Sequence, residues 1–391
     1  MRGANILISG AGIAGAALAY WLAVDHRVTV LERARALTSR GQVISLKGTG
    51  VQVLRKMGLY EALCEHRFAV THTRFMTRAG RTLRQVQVAE AEQTLGGYVM
   101  TRRADLHQLL LDARPTDVAV RLGTELRSVR PGPAGVAVDL SDGASETYDL
   151  LLGADGVHSL TRELTMPEVQ AEFLHGHYFA FGLRHDHGWD PTEARAVFGG
   201  GRNVNLLPKG PNALGVVVYQ DDQGQPPPMG GPAAGWRSYF EDAYRDYPQF
   251  CRAAFAAIRD DDDIFADRIV MVPAQRLASG RIALVGDAGS CPTFMSGMGA
   301  AAALQGAYCL ASQLKRRDDI PSALRAYEAR MLPIVRGYQQ SARSMRAMLL
   351  ARSTEAQLVR DLGLQFMPKA AFQARARKFY HGETDVELLT A

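Results

Sequence analysis

The sequence predicts an α/β fold in which a parallel, helix-covered sheet is interrupted by an all-strand insertion. Three observations predict it. Residues 5–9, Asn-Ile-Leu-Ile-Ser, form a short apolar run that enters a glycine-spaced turn and then a helical pattern. Two more apolar runs, 150–156 and 281–287, end far downstream in Asp-Gly and Gly-Asp. Between them, stretches such as 175–184 and 203–220 alternate or run apolar, with Pro/Gly/Asn turns joining them.

The bulk composition supports this. A chain of 391 residues is long for one simple domain and suggests two connected units. With 47% hydrophobic and 22% charged residues it can bury a large core, which excludes global disorder. The net charge of +5 is mild, and no stripe mixes basic with aromatic residues, so a nucleic-acid partner is not expected. Four cysteines, Cys64, Cys251, Cys291 and Cys309, match no CxxC metal pattern and are too few for a disulfide framework. Free thiols fit a reducing cytoplasm. The apolar start at 6–24 resembles a leader peptide. Its regularly spaced glycines, its single preceding Arg2 and the Asp25 where a small-residue cleavage site belongs all argue against one. No stretch of about 20 residues is free enough of charge for a membrane span.

The opening turn carries the chemistry. In Gly10-Ala11-Gly12-Ile13-Ala14-Gly15, the first glycine permits a tight turn, the second lets a pyrophosphate approach the backbone, and the third lets helix and strand pack closely. A helix over 16–24 then presents its N-terminal N–H groups to the phosphates. A second strand, 28–31, ends at Glu32, about 20 residues after the glycines, where a carboxylate suits a ribose hydroxyl. Strand, glycine turn, helix and terminal acid together make a dinucleotide-binding unit.

From here the chain resembles the class A FAD-dependent monooxygenases, the para-hydroxybenzoate hydroxylase-like family. The resemblance runs over about residues 4–350. Glu32-Arg33 matches the family's Glu-Arg pair, and Arg103-Ala104-Asp105-Leu106 its Arg-x-x-Leu helix start, with Arg102 a competing arginine. Residues 150–159 match its Asp-Gly motif through Asp155. Arg281-Ile282-Ala283-Leu284-Val285-Gly286-Asp287 matches its Gly-Asp motif, and Gly297-Met298-Gly299 opens a helix over 300–314. Gly289 and Ala301 stand where the family often has His and Asn. Residues 41–59, from Gly41 to Leu59, resemble most the tetracycline-modifying flavin monooxygenases and related natural-product hydroxylases.

The resemblance implies a Rossmann-type FAD-binding domain of the GR2-like group with an inserted β-sheet substrate domain and a C-terminal helix. The expected FAD-binding parts are 1–70, 98–170 and 268–350. The substrate sheet would use 71–97 and 171–267, read as strands, and a helical segment would follow over 351–391. A long helix is expected at 321–350, with Pro333 inside it. FAD would bind non-covalently through Gly10, Gly12, Ile13, Ala14, Gly15, Glu32, Arg33, Gly41, Arg103, Asp155, Gly286, Asp287, Gly297, Met298 and Gly299. Backbone N–H groups of the last three would face the flavin. Phe179, Phe181, Phe294, Met295 and Met298 are the candidates for an apolar substrate surface.

The activity implied is hydroxylation of a small electron-rich aromatic or polyketide-like compound. NAD(P)H would be the transient reductant, O2 the co-substrate and a flavin C4a-hydroperoxide the oxygen donor. The motifs admit two alternatives: a flavin oxidase or dehydrogenase of natural-product biosynthesis, and a flavoprotein that binds or cyclises its ligand without redox change. The spacing of Trp21, Trp189 and Trp236 lacks the Trp-x-Trp of a flavin halogenase. The histidine pairs His175/His177 and His185/His187 lack a third ligand at metal spacing, so no metal is expected. No side chain identifies itself as a catalytic base, and monomer and homodimer are equally compatible with the sequence.

Overall fold

The computed structural model describes residues 2–37, 43–222, 227, 233–260 and 262–380. Its centre is a six-stranded sheet in the order Ala278–Ser279, Ile282–Leu284, Leu150–Gly153, Asn5–Ser9, Arg27–Glu32, Ala119–Leu122. All neighbours are parallel except the first pair. Ile6, Leu7, Ile8 and the three leucines of 150–152 are fully buried, as befits central strands covered on both faces. The helices Ile13–Leu22 and Gly299–Arg316 pack on one face, and the small sheet Leu126–Pro131, Val136–Leu140, Ser145–Tyr148 adds its apolar side to the other.

A seven-stranded sheet stands over this unit. Its order is Phe265–Met271, Glu172–Arg184, Ala213–Asp221, Arg202–Pro208, Glu193–Gly199, His72–Thr77, Thr82–Gln87. It is antiparallel except between Glu193–Gly199 and His72–Thr77. Its strands alternate, and the two faces bury different cores. Phe179, Phe181, Val204, Val216 and Val218 pack with Trp236, Phe240 and Phe255 from the helices Ala233–Ala243 and Gln249–Ala256. Tyr178 and Ala180 face Met295, Ala342 and Leu350 on the opposite side.

Reading 71–97 and 171–267 as strands missed three helices, Val88–Leu95, Ala233–Ala243 and Gln249–Ala256. The last has Cys251, Ala254 and Phe255 buried on one face. That spacing is helical, but eight residues carry too little of it to stand out in a sequence. The first helix begins at Ile13, three residues before the expected start, so the glycine turn runs directly into it. The 30-residue helix Ile320–Leu349 contains Pro333 and opens on Asp319, whose side chain accepts from the Ser322 N–H. Helices Thr354–Phe366 and Lys369–Tyr380 follow. No helix among the described residues is long and apolar enough to cross a membrane.

Candidate functional site

Between the two large sheets runs a cavity of about 630 Å³, within the range of small-molecule and cofactor sites. Its wall begins at Glu32, Arg33, Thr124 and Leu126, passes Gly10, Gly12, Ile13, Ala14, Arg103, Asp155 and Asp287, and reaches Ser45, Gly297 and Gly299. Tyr178, Tyr219, Phe265 and Phe294 roof it at that end. Eleven of the residues expected to hold a dinucleotide thus converge on one space, from strands and turns up to about 290 positions apart.

The glycines show why the turn has this sequence. Gly10 has φ +101°, and a Cβ there would stand 2.6 Å from the Ala154 carbonyl oxygen. A Cβ on Gly15 would lie 1.9 Å from the Gly10 carbonyl oxygen, an impossible contact. Gly12 is different: only the Arg103 guanidinium comes within 4 Å of its Cβ position, and the residue lines the cavity. Gly15 and Gly286 do not line it. They let the helix and the Gly-Asp turn close up behind, Gly286 with its Cβ position 3.0 Å from that of Ala14.

The turn is braced from outside. The Gly10 N–H donates to the Leu31 carbonyl, and Glu32 accepts from Ala11 N–H at 3.1 Å and Ala34 N–H at 2.9 Å. His107, which sequence reading passed over, holds the Ala11 carbonyl at 2.6 Å through Nε2, and burial pushes its pKa down. A neutral ring donating that N–H satisfies both observations. The helix Ile13–Leu22 has no side-chain cap, which leaves its first N–H groups for an anion. Arg103 stands beside Gly12. Arg102, the competing arginine, turns outward and donates to Asp105 at 2.8 Å.

Asp155 lines the cavity, yet its carboxylate accepts from Thr161 N–H and Oγ1, both at 2.9 Å, and from the Ser159 hydroxyl. It holds its own turn and starts the helix Leu160–Thr165. From that helix Arg162 donates to the carbonyls of Ala288 and Val157, both at 2.8 Å. Asp287 is half-buried at the cavity wall, and desolvation raises its pKa against the opposing pull of Arg103. A carboxylate kept in such a place needs hydrogen-bond donors, and the ribityl hydroxyls of FAD are donors of that kind.

At the far end the expected pattern holds only in part. Gly297 and Gly299 line the cavity, but Met298 is buried in the core beneath. The N–H of Gly297 donates to the Phe294 carbonyl and that of Met298 to the Ser296 hydroxyl. The donors that a helix start leaves over therefore begin at Gly299.

Of the proposed substrate residues, Phe294 alone lines the cavity, with its ring centroid 3.6 Å from that of Tyr178. Phe179 and Phe181 point to the other face of their strand, while Met295 and Met298 lie in the core. Tyr178 is the cavity-facing neighbour, and the period-2 pattern alone could not say which face was the roof. Gly41 lies outside the described residues.

Comparison with known proteins agrees with this geometry. Residues 3–176 match the family model described as "FAD binding domain". The chain is 30% identical over 375 residues to an FAD-dependent monooxygenase of Sarocladium schorii, covering 86% of each. It is 28% identical over 326 residues to a flavin-dependent monooxygenase of Legionella longbeachae, covering 80% of each. Among solved structures, that of the tetracycline destructase Tet(51) superposes with a TM-score of 0.76 at 25% identity, covering 96% of this chain and 98% of that one. Sequence, cavity and relatives converge: the chain belongs to the class A FAD-dependent monooxygenases.

Proposed function

We propose that this enzyme hydroxylates a flat, electron-rich compound, phenolic or polyketide-like, using NAD(P)H and O2. The observation that carries the reading is the continuity of one cavity, from the glycine turn to an aromatic roof of Tyr178, Tyr219, Phe265 and Phe294. FAD, when bound, supplies hydride acceptance and oxygen activation. The chain's own residues bind, orient and exclude water. In this reading Ile13 and Ala14 offer N–H groups to the pyrophosphate, and Arg103 offers its guanidinium. Glu32 and Arg33 take the adenosine end, and Asp287 takes the ribityl hydroxyls. Gly299, at the start of an 18-residue helix, directs N–H groups and a positive dipole end toward the flavin pyrimidine. The roof aromatics keep the reacting face dry and stack on a planar ligand.

The likeness to a tetracycline destructase supports a polycyclic substrate. The enzyme would act in the cytoplasm, as a monomer or homodimer.

The test is direct. Purified yellow protein is mixed with NAD(P)H and a panel of polycyclic phenols under heavy-isotope O2. A true substrate accelerates flavin reduction, and one heavy oxygen enters the product. NAD(P)H oxidation that yields only hydrogen peroxide with every compound tried would instead identify an oxidase.

A further inference from the structure

The glycine that opens the backbone to the cavity also loosens it. Gly12 sits at φ −68°, but a glycine takes positive φ about as readily. The peptide between Ala11 and Gly12 could therefore turn over at little steric cost. Turning it over exchanges the directions of the Ala11 C=O and the Gly12 N–H. No backbone N–H among the described residues donates to the Ala11 carbonyl, so the main chain does not hold this peptide in place.

One side chain does. His107 lies on the helix Arg103–Asp112, is 5% exposed, and donates from Nε2 to the Ala11 carbonyl at 2.6 Å. The preceding peptide is fixed separately, the Ala11 N–H donating to the Glu32 carboxylate at 3.1 Å. In a trans peptide the C=O and the following N–H point to opposite sides. With the Ala11 carbonyl turned to His107, the Gly12 N–H is turned away from it. Among the described residues nothing accepts from that N–H. Gly12 lines the cavity, as does Arg103, whose guanidinium comes within 3.9 Å of the Gly12 Cβ position. Arg103 and His107 stand at i and i+4, one turn apart on one face of their helix. The arginine reaches the cavity and the histidine reaches the turn behind it.

We propose that His107 is a positioning residue for the cofactor: it locks the Ala11–Gly12 peptide so that the Gly12 N–H faces the FAD pyrophosphate beside Arg103. The histidine does not line the cavity, so it acts through the Gly12 amide. That N–H joins those of Ile13 and Ala14 around the anion. The turned-over peptide would present a carbonyl oxygen to the phosphates instead. A single buried hydrogen bond thus decides whether this peptide attracts the pyrophosphate or repels it. The inference rests on the reading that places the pyrophosphate at the glycine turn.

The test titrates flavin-free enzyme with FAD, read by flavin fluorescence, and displaces the FAD with ADP, which carries a pyrophosphate, or with adenosine, which carries none. His107→Leu is expected to weaken FAD and ADP about tenfold or more and adenosine by less than about threefold. His107→Gln, whose side-chain amide can donate to the same carbonyl, is expected to restore FAD and ADP to within about threefold of wild type. Should His107→Leu fail to fold, His107→Asn, too short to reach the carbonyl, takes its place. Wild-type affinity for FAD and ADP in the variant that lacks the bond overturns the proposal. So does a loss for adenosine as large as that for ADP, or a glutamine variant no better than leucine. Wild-type enzyme whose FAD is not displaced by ADP takes the pyrophosphate away from the turn and overturns the proposal before any variant is made. Failure of the underlying reading and failure of the histidine's role are therefore distinguishable.

Discussion

Arg162 donates to the carbonyl oxygen of Ala288 at 2.8 Å, tying the turn after Leu150–Gly153 to the turn after Ile282–Leu284. Its second arm takes the Val157 carbonyl, so a single buried guanidinium sets the spacing of the Asp-Gly and Gly-Asp motifs. Arg162→Met removes both bonds and leaves two carbonyls without their donor. A loss of about 2–4 kcal/mol in chemical denaturation is expected. FAD affinity, measured by fluorescence quenching, should fall with it. Unchanged FAD affinity would show that the two turns keep their spacing without the arginine.

Two glycines should respond oppositely to the same change. Gly15→Ala drives a methyl into the Gly10 carbonyl, so the protein should purify colourless or fail to fold. Gly337 lies inside the helix Ile320–Leu349 with nothing within 4 Å of its Cβ position. Gly337→Ala should raise stability by up to about 1 kcal/mol through helix propensity, with flavin content unchanged. Thermal melts and the flavin absorbance of the two variants check this together.

Lys47, which ends the strand Val43–Lys47 and is buried, makes a stability prediction. Its folded pKa, about 7, lies below the ordinary lysine value, so the unfolded chain binds the proton more tightly. The penalty is therefore full below pH 7 and fades as pH rises toward the ordinary lysine range. Flavin-free Lys47→Met should exceed wild type at pH 7 by a few kcal/mol, on the order of 3, and the gap should shrink by pH 10. Denaturant midpoints at the two pH values measure it. A gap that is absent, or that widens with pH, contradicts the burial of an uncompensated amine.

Neighbouring aromatics separate roof from core. Phe179 is fully buried among Trp236, Tyr239 and Phe240, and Phe179→Ala should cost about 3–5 kcal/mol of stability. Phe294 is 41% exposed and lines the cavity, so Phe294→Ala should change stability by less than about 1 kcal/mol. It should instead raise KM for an aromatic substrate. Steady-state kinetics beside a denaturation curve for each variant gives the comparison. A large stability loss in Phe294→Ala with KM unchanged would place that ring in the core.

Much of the cofactor end was legible because its requirements are local. A tight turn and a close helix each demand glycine at a set spacing, and Gly10 and Gly15 meet those demands for the expected reasons, while Gly12 leaves its backbone open to the cavity. Arg103 against Arg102 was undecidable, since adjacent residues at a helix start leave in different directions and only packing chooses. His107 bears no motif, and Arg162, which follows the family's Asp-Gly motif, shows nothing of its partner in the sequence. Each matters because of the carbonyl it reaches, 96 and 126 residues away in the chain.

What the sequence determined by itself was the α/β class and the order of the dinucleotide motifs, because these rest on short-range sterics and the periodicities of strand and helix; the family came from the resemblance those motifs carry. Tertiary structure decided which face of Glu172–Arg184 became the roof, putting Tyr178 over the cavity and Phe179 against the outer helices. It also brought Lys47 to the ring of Tyr380, from the far end of the chain. The physical reason is that strand alternation assigns residues to two faces without labelling them, and the label comes only from what packs against each face.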